Sequence, residues 1–291
     1  MNRRYEVVDV FTSRPLRGNP VAVVLDAQDL SSETMQAIAR WTNLSETTFV
    51  LPPTDTQADY RLRIFTPRSE LPFAGHPTLG SAHAVLKNGH IAPRHPGRLI
   101  QQCDVGLVEV TIDERDGGRE LSFSLPPAKI ETLSPDDVIE LERIVGCRVD
   151  TLHAPATVDV GPVWVVAHLP DVATVLDLRP DLTALAAFER RTGVTGLTVF
   201  GRHEQGNLTI EVRTFAPSCG VDEDPVCGSG NGSVAVYQWA QRILPPDGCE
   251  YLATQGRCVG RDGKVKVRLD GQGHVWIGGA CVSCVEGVLA A

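Results

Sequence analysis

The pentapeptide Arg63-Ile64-Phe65-Thr66-Pro67 returns 150 residues later as Arg213-Thr214-Phe215-Ala216-Pro217, in a chain of 291 residues. Each copy is a strand-like run that passes through a polar loop to a glycine-containing turn and then a helix. In the first copy the turn is Phe73-Ala74-Gly75-His76-Pro77, and a helix is predicted over 78–87, stopped by Asn88-Gly89. In the second the turn is Val226-Cys227-Gly228-Ser229-Gly230, with a helix over 231–242 stopped by Pro245-Pro246. A repeat offset by half the chain implies duplication into two similar domains, 1–126 and 127–291, with Leu125-Pro126-Pro127 as the seam. The last strand is left free to pack on the first domain.

Short strands fill the rest of both halves. Alternating or continuous apolar runs predict strands over 5–11, 22–25, 47–51, 59–65, 107–112 and 120–124. In the second half they predict 164–167, 196–200, 208–215, 265–269 and 274–277. Helices are fewer. Ser31 or Ser32 can cap a helix over 33–41 with Glu33 in its first turn, and Ser134-Pro135-Asp136-Asp137 opens another that ends near Gly146.

Composition narrows the function classes. A hydrophobic fraction of 42% is enough to build cores, and 22% charged residues of interspersed sign argue against disorder. A net charge of −9 without a basic stripe excludes a phosphate-tracking nucleic-acid binder, but it leaves room for an anionic small molecule held by backbone dipoles. No apolar stretch is long enough for a signal segment or a membrane span, so a cytoplasmic protein with no membrane partner is expected. Its eight cysteines are then expected as free thiols. Cys281 and Cys284 have the spacing of half a zinc site. Their stretch is strand-like, however, and Cys249 and Cys258 form no tight knuckle, so no metal is expected.

Candidate chemistry gathers at the two helix starts. The first N–H groups of a helix lack partners within it, and the macrodipole places positive charge there. Gly75 and Gly228 would let a ligand approach the backbone, and Pro77 suits a first helical turn. Two such mouths facing each other would receive a carboxylate or the charge that develops on an enol oxygen. Of the acids before the second mouth, Asp222-Glu223-Asp224-Pro225, Asp224 stands nearest the helix start. His76 sits at the first mouth, where it can donate to a ligand or exchange protons with it. His76, His83 and His90 recur every seven residues, which two helical turns spread too far apart for one ion. Glu46 lies between a helix and a buried strand, where partial desolvation would favour acid–base work, although a glutamate at a turn is commonly just solvated.

Several blocks together resemble a known family. They are Val8-Asp9-Val10-Phe11-Thr12 with Gly18-Asn19-Pro20; Asn43-Leu44-Ser45-Glu46-Thr47; and Phe65-Thr66-Pro67 through Phe73-Ala74-Gly75-His76-Pro77-Thr78. Further on come Phe215-Ala216-Pro217, Glu223-Asp224-Pro225-Val226-Cys227-Gly228-Ser229, Gln255-Gly256 and Gly278-Gly279. In this order, over nearly the whole chain, they resemble the phenazine-biosynthesis isomerase (PhzF-like) family. The resemblance implies the α+β, diaminopimelate-epimerase-like fold. In that fold two pseudo-symmetric domains each wrap a curved, mostly antiparallel sheet around a central helix, with the active site in the cleft between them. It also implies isomerisation without a metal or organic cofactor, with Glu46 as the proton shuttle and His76, Asp224 and Ser229 as its partners. Asn19, Gly75, Gly228 and Gly230 would line the substrate site, and a homodimer is implied.

One departure bears on mechanism. Cys227 stands where related amino-acid epimerases place one of two catalytic thiols, and the other would fall at Ala74, which cannot ionise. A helix N-terminus would lower the Cys227 pKa and make the thiol reactive; a small residue filling a tight turn is the other reading. The sequence therefore points to an isomerase that moves a proton within a small carboxylated substrate. In that reading Glu46 removes the proton from one carbon and returns it to another, and Asp224 binds an amino or hydroxyl group. Two alternatives stay open. One is a one-thiol epimerase or dehydratase using Glu46 with Cys227, and the other is a non-catalytic binding protein on the same scaffold.

Overall fold

The repeated pentapeptides lie on strands that hold the same place in two sheets of matching order. A computed structural model describes residues 2–87, 89–115, 118–203 and 209–291. The chain divides into two units, Met1–Phe123 with Gly278–Ala291, and Ser124–Ile277.

In the first unit, β1 (Asn2–Val10) pairs antiparallel with β2 (Asn19–Val24), and β2 pairs parallel with β3 (Glu46–Leu51). The crossover between β2 and β3 carries α1 (Ser32–Thr42). Then β4 (Tyr60–Phe65) returns antiparallel to β3, and the two-residue β5 (Glu70–Leu71) folds back on it. A second crossover, α2 (Gly75–Lys87), leads to β6 (Arg98–Cys103), parallel to β4. Next, β7 (Gly106–Arg115) and β8 (Gly118–Ser124) follow as an antiparallel meander. The last strand of the chain (Val275–Ala290) pairs with both β8 and β1, which closes the sheet into a ring of eight strands. Residues 76–82 of α2 are all buried, with Ala84 and Val85 beyond them, and the helix packs on β1, β2, β3 and β4; it is the central helix. Its polar atoms are met from the sheet, where Thr48 Oγ1 lies 2.8 Å from Ser81 Oγ and Gln101 Nε2 donates to Thr78 Oγ1 at 3.0 Å. The amphipathic α1 lies outside. Its Met35, Ile38 and Ala39 pack with Val24, Phe49 and Phe65, whose rings meet edge to face at 5.5 Å. Full burial of side chains this size contributes roughly 1.5–3 kcal/mol each.

The second unit opens with β9 (Lys129–Thr132), α3 (Pro135–Val145), β10 (Ala156–Asp159) and β11 (Val163–His168). It continues with α4 (Val172–Asp177), α5 (Leu182–Thr192), β12 (Gly196–Arg202), β13 (Thr209–Ala216) and β14 (Val221–Asp224). Then come α6 (Gly228–Ala240), β15 (Gly248–Gln255) and β16 (Gly263–Asp270), before the last strand, β17. The pairing from β10 to β16 repeats that from β1 to β7: antiparallel, parallel, antiparallel, a short hairpin partner, parallel, antiparallel. Again the helix after the hairpin, α6, is buried along most of its length, and α3, α4 and α5 cover the outside through Leu141, Val175, Leu185 and Phe188. The α+β reading, with two pseudo-symmetric domains each wrapping a sheet around a central helix, is the architecture observed.

The element boundaries differ from the sequence reading in instructive places. The acidic segment before the second helix mouth is not a loop but β14, paired to β13. The strands β6, β9, β10 and β15 and the helices α4 and α5 were not signalled. In β6, for instance, Gln101 occupies a fully buried position because Tyr60 Oη and Thr78 satisfy it, so polarity hides the strand. Asn88, expected to stop α2, and Leu208, expected to open β13, lie outside the described residues.

Candidate active site

In the first unit, α1 ends at Thr42 and is capped by Asn43, which takes a left-handed conformation (φ 55°) and leaves two residues before β3 begins at Glu46. That terminus fixes where the glutamate emerges, and pairing with Val21 of β2 holds its backbone. The Glu46 side chain is mostly buried, and its Oε2 lies 3.2 Å from His76 Nε2, on the second residue of α2. His76 also hydrogen-bonds the backbone of Pro20, and a proline offers only its carbonyl. Since Nε2 faces the Glu46 carboxyl group, Nδ1 is the nitrogen that carries the hydrogen and donates to the Pro20 carbonyl. Burial pulls the His76 pKa down to about 3, against the smaller opposing pull of the Pro20 bond, so the ring is neutral and Nε2 is bare. Beside Pro20, Asn19 is fully buried at the start of β2, and Asp9 Oδ2 accepts from Gly18 N at 3.2 Å, pinning that turn.

In the second unit the three acids separate into three roles. Asp222 is exposed. Glu223 accepts both arms of Arg213, at 3.0 and 2.7 Å, and this guanidinium also donates to the carbonyls of Val175 and Leu178. Asp224 is half-buried, its Oδ1 accepting from Val226 N at 3.0 Å. Burial is the main cause that pushes its carboxyl up to about 6, and the Glu223 charge adds to it. Arg63 and Glu70 make the same two-pronged pair in the first unit, at 2.6 and 2.7 Å, and each arginine lies over the phenylalanine of its own pentapeptide. The repeated arginine is thus a brace for the segment that leads to each helix mouth.

Cys227 caps α6, its Sγ accepting from Gly230 N at 3.3 Å. Burial first, then the Asp224 charge, pushes this thiol well above its ordinary range. That is the opposite of the lowering expected from a helix N-terminus, because desolvation of a buried sulfur outweighs the dipole. Ser229 Oγ accepts from Trp164 Nε1 at 3.1 Å. Gly75 and Gly230 have packing reasons to lack a side chain: a Cβ would sit 2.7 Å from the Phe123 ring in one case and 2.8 Å from Thr214 Oγ1 in the other.

Some residues at the site gave little or no sequence signal. Gln255 accepts from Cys227 N and Asn231 Nδ2, and it donates to the Asp224 carbonyl at 2.9 Å, tying the acid segment to the helix start. It drew notice only as part of a Gln-Gly pair. Trp164 looked like an ordinary strand residue. The duplicated register also shows an acid at this position in the first copy and none in the second. Val21 opposite Glu46 corresponds to Trp164 opposite Gly196, and His76 corresponds to Ser229. At Gly196 any side chain would collide with the Phe215 carbonyl and the Trp164 ring, so the second copy has no room for an acid there.

The four cysteines weighed as a zinc site do not form a ligand set among the described residues, and all eight thiols are free. Among those residues no helix is long and apolar enough to cross a membrane. A sequence profile described as phenazine biosynthesis-like protein matches residues 8–287. The chain belongs to the phenazine biosynthesis-like (PhzC–PhzF) family. Among its relatives in this family is the trans-2,3-dihydro-3-hydroxyanthranilate isomerase of Pseudomonas aeruginosa, 38% identical with 93% of this chain and 92% of that protein covered. Another, from Schizosaccharomyces pombe and named antisense-enhancing sequence 1, is 43% identical with 97% of each chain covered. A PhzF-family structure from Bacillus anthracis superposes with a TM-score of 0.88 at 22% identity, covering all of both chains. A hydroxyproline epimerase from Agrobacterium vitis shares the fold at a TM-score of 0.67 and 15% identity, with 99% and 92% covered. This PhzF-like protein is an isomerase.

Proposed function

We propose that the protein is a cofactor-independent proton-transfer isomerase acting on a small carboxylated substrate, with Glu46 as both acid and base. The contact between Glu46 Oε2 and the bare Nε2 of His76 carries this reading. With the imidazole neutral and its Nε2 able only to accept, a proton on the Glu46 carboxyl group would bridge the 3.2 Å between the two atoms. In this reading Glu46 rests as the acid. It gives its proton to one carbon of an unsaturated substrate and, now a carboxylate, takes a proton from another carbon, while the double bond shifts between them. One proton is gained and one lost, and the pair returns to its starting state. His76, fixed by Pro20, orients Glu46 throughout. The starts of α2 and α6 offer backbone N–H groups and positive dipole ends to a carboxylate or an electron-rich intermediate. Asp224 binds an amino or hydroxyl group, and Ser229, Asn19, Gly75, Gly228 and Gly230 line the substrate. The one-thiol alternative loses support because Cys227 is buried, spent on its cap, and hard to ionise.

The test is a screen of small cyclic and amino-acid carboxylates, the substrate of the Pseudomonas isomerase included, in deuterated water. In a single turnover the pre-equilibrated enzyme should place one deuteron on the newly saturated carbon, read by mass spectrometry. Glu46→Gln should lower the rate by about 10² to 10⁴ while keeping the fold. Product formed without solvent deuterium overturns the acid-first order, and near-normal turnover by Glu46→Gln overturns the assignment.

A further inference from the structure

Outside the candidate active site, the second unit gathers two histidines around one aspartate. Asp150 Oδ2 lies 2.7 Å from His153 Nδ1 and 2.8 Å from His168 Nδ1, and these three atoms all fall within 4.8 Å of one another. Asp150 and His153 belong to the connection between α3 and β10, and His168 is the last residue of β11. We propose that Asp150, His153 and His168 form a binding site for a divalent transition-metal ion of the zinc class, which pins this connection to the end of β11.

Each ligand is held in place before any ion arrives. Asp150 Oδ1 accepts from Leu152 N at 2.8 Å, which leaves Oδ2 to face the two rings, and Asp150 N donates to the His168 carbonyl at 2.9 Å. The His168 ring stacks on Phe200 with centroids 4.6 Å apart. Tyr237 Oη, from the central helix α6, donates to the His153 carbonyl at 2.6 Å and so fixes the base of that ligand. Outer contacts of this kind hold the rings and carboxylates of metal sites in register. Without an ion, Oδ2 accepts a hydrogen from each Nδ1. With one, each neutral ring moves its hydrogen to Nε2 and presents the Nδ1 lone pair. Neighbouring ligands of a tetrahedral ion with bonds of roughly 2.0–2.1 Å stand about 3.3 Å apart, so the cluster opens by about half an ångström.

The donor set selects the ion. Two imidazoles and a single carboxylate suit zinc, cobalt or nickel, whereas calcium and magnesium need more oxygens. The Arg202 charge acts on His168 and opposes a cation there, which further disfavours ions that depend on charge alone. All three side chains are partly exposed, at 19%, 29% and 15%, so water can reach an ion and complete its coordination.

The test uses the full chain after dialysis against a chelator under reducing conditions. Zinc and cobalt are titrated by calorimetry, and cobalt also by absorption, because free thiols are the competing ligands. One ion per chain, with cobalt bands of nitrogen and oxygen ligation and no thiolate-to-cobalt charge transfer, supports the site. His153→Gln lies in a connecting segment and should keep the fold; it should weaken zinc binding at least about tenfold, as should His168→Gln and Asp150→Asn. The melting temperature should rise with zinc in the parent and not in His153→Gln. Absence of saturable binding, a thiolate charge-transfer band, or unchanged affinity in a folded His153→Gln overturns the proposal.

Discussion

Replacing Asp224 by asparagine separates the part proposed for this carboxylate in the reaction from what it costs the fold. Asparagine keeps an oxygen for the 3.0 Å bond from Val226 N and removes the charge. The folded protein raises the group from its ordinary value of 3.8 to about 6, so it binds that proton more tightly than the unfolded chain does. The folded state is therefore under no penalty below about pH 4. The penalty grows as the pH climbs between the two values and is complete above about 6. A rise of this size is worth about 3 kcal/mol, and residual solvent access reduces the expectation to about 1–3 kcal/mol. Asp224→Asn should thus melt roughly 2–8 °C higher than the parent at pH 8 and at the same temperature at pH 4. Calorimetric or circular-dichroism melts at both pH values measure this. Turnover should move the other way: the parent loses activity as the pH falls through about 6, and the variant is weak at every pH. A variant no more stable at pH 8, or equally stabilised at both pH values, would refute the claim that the fold holds this carboxylate against its own preference.

Three further substitutions test the surrounding geometry. Asp222→Asn should leave turnover within about twofold of the parent, since Asp222 is exposed; a loss matching that of Asp224→Asn would mean the wrong acid has been assigned. Cys227→Ser should retain activity within about tenfold, because the thiol serves as a cap; a fall of about a thousandfold with the fold intact would restore the thiol epimerase reading. Gln255→Leu leaves the Cys227 and Asn231 donors and the Asp224 carbonyl without their partner. It should destabilise the protein by roughly 2–4 kcal/mol in denaturant melts and also slow turnover; a neutral result would remove Gln255 as the tie between acid segment and helix.

The parts of this architecture that were legible in the sequence are those whose physics is local. The Arg-x-Phe-x-Pro copies stood out because each arginine lies over its own phenylalanine and grips an acid seven or ten residues ahead. Helix α3 was legible from its Ser134 cap and Gly146 stop, both of which work as the residue types suggest. Contacts between distant residues left no such mark. Trp164 reaches Ser229 across 65 positions, and Gln255 reaches Cys227 across 28. The Pro20 carbonyl that sets the His76 tautomer carries no side-chain signal at all. Of the two readings of Cys227, the lowered pKa fails and the residue that fills the turn stands, because a helix start can be seen in sequence and burial cannot.

The last strand has a consequence for how the chain is made. Residues 278–291 complete the ring that residues 2–123 begin, and β1 has Ala290 as the partner of Asn2. The segment 2–123 therefore cannot finish its own sheet until residues 278–291 have also been made and reach it. Until then β1 and β8 are both left with an open edge, the state in which strands recruit the wrong neighbours. The intervening unit, Ser124–Ile277, is a continuous stretch and can close first. A nascent chain stalled before residue 278 would hold a folded second unit and an unsealed first one, and the arrival of residues 278–291 at β1 and β8 is the event that seals it.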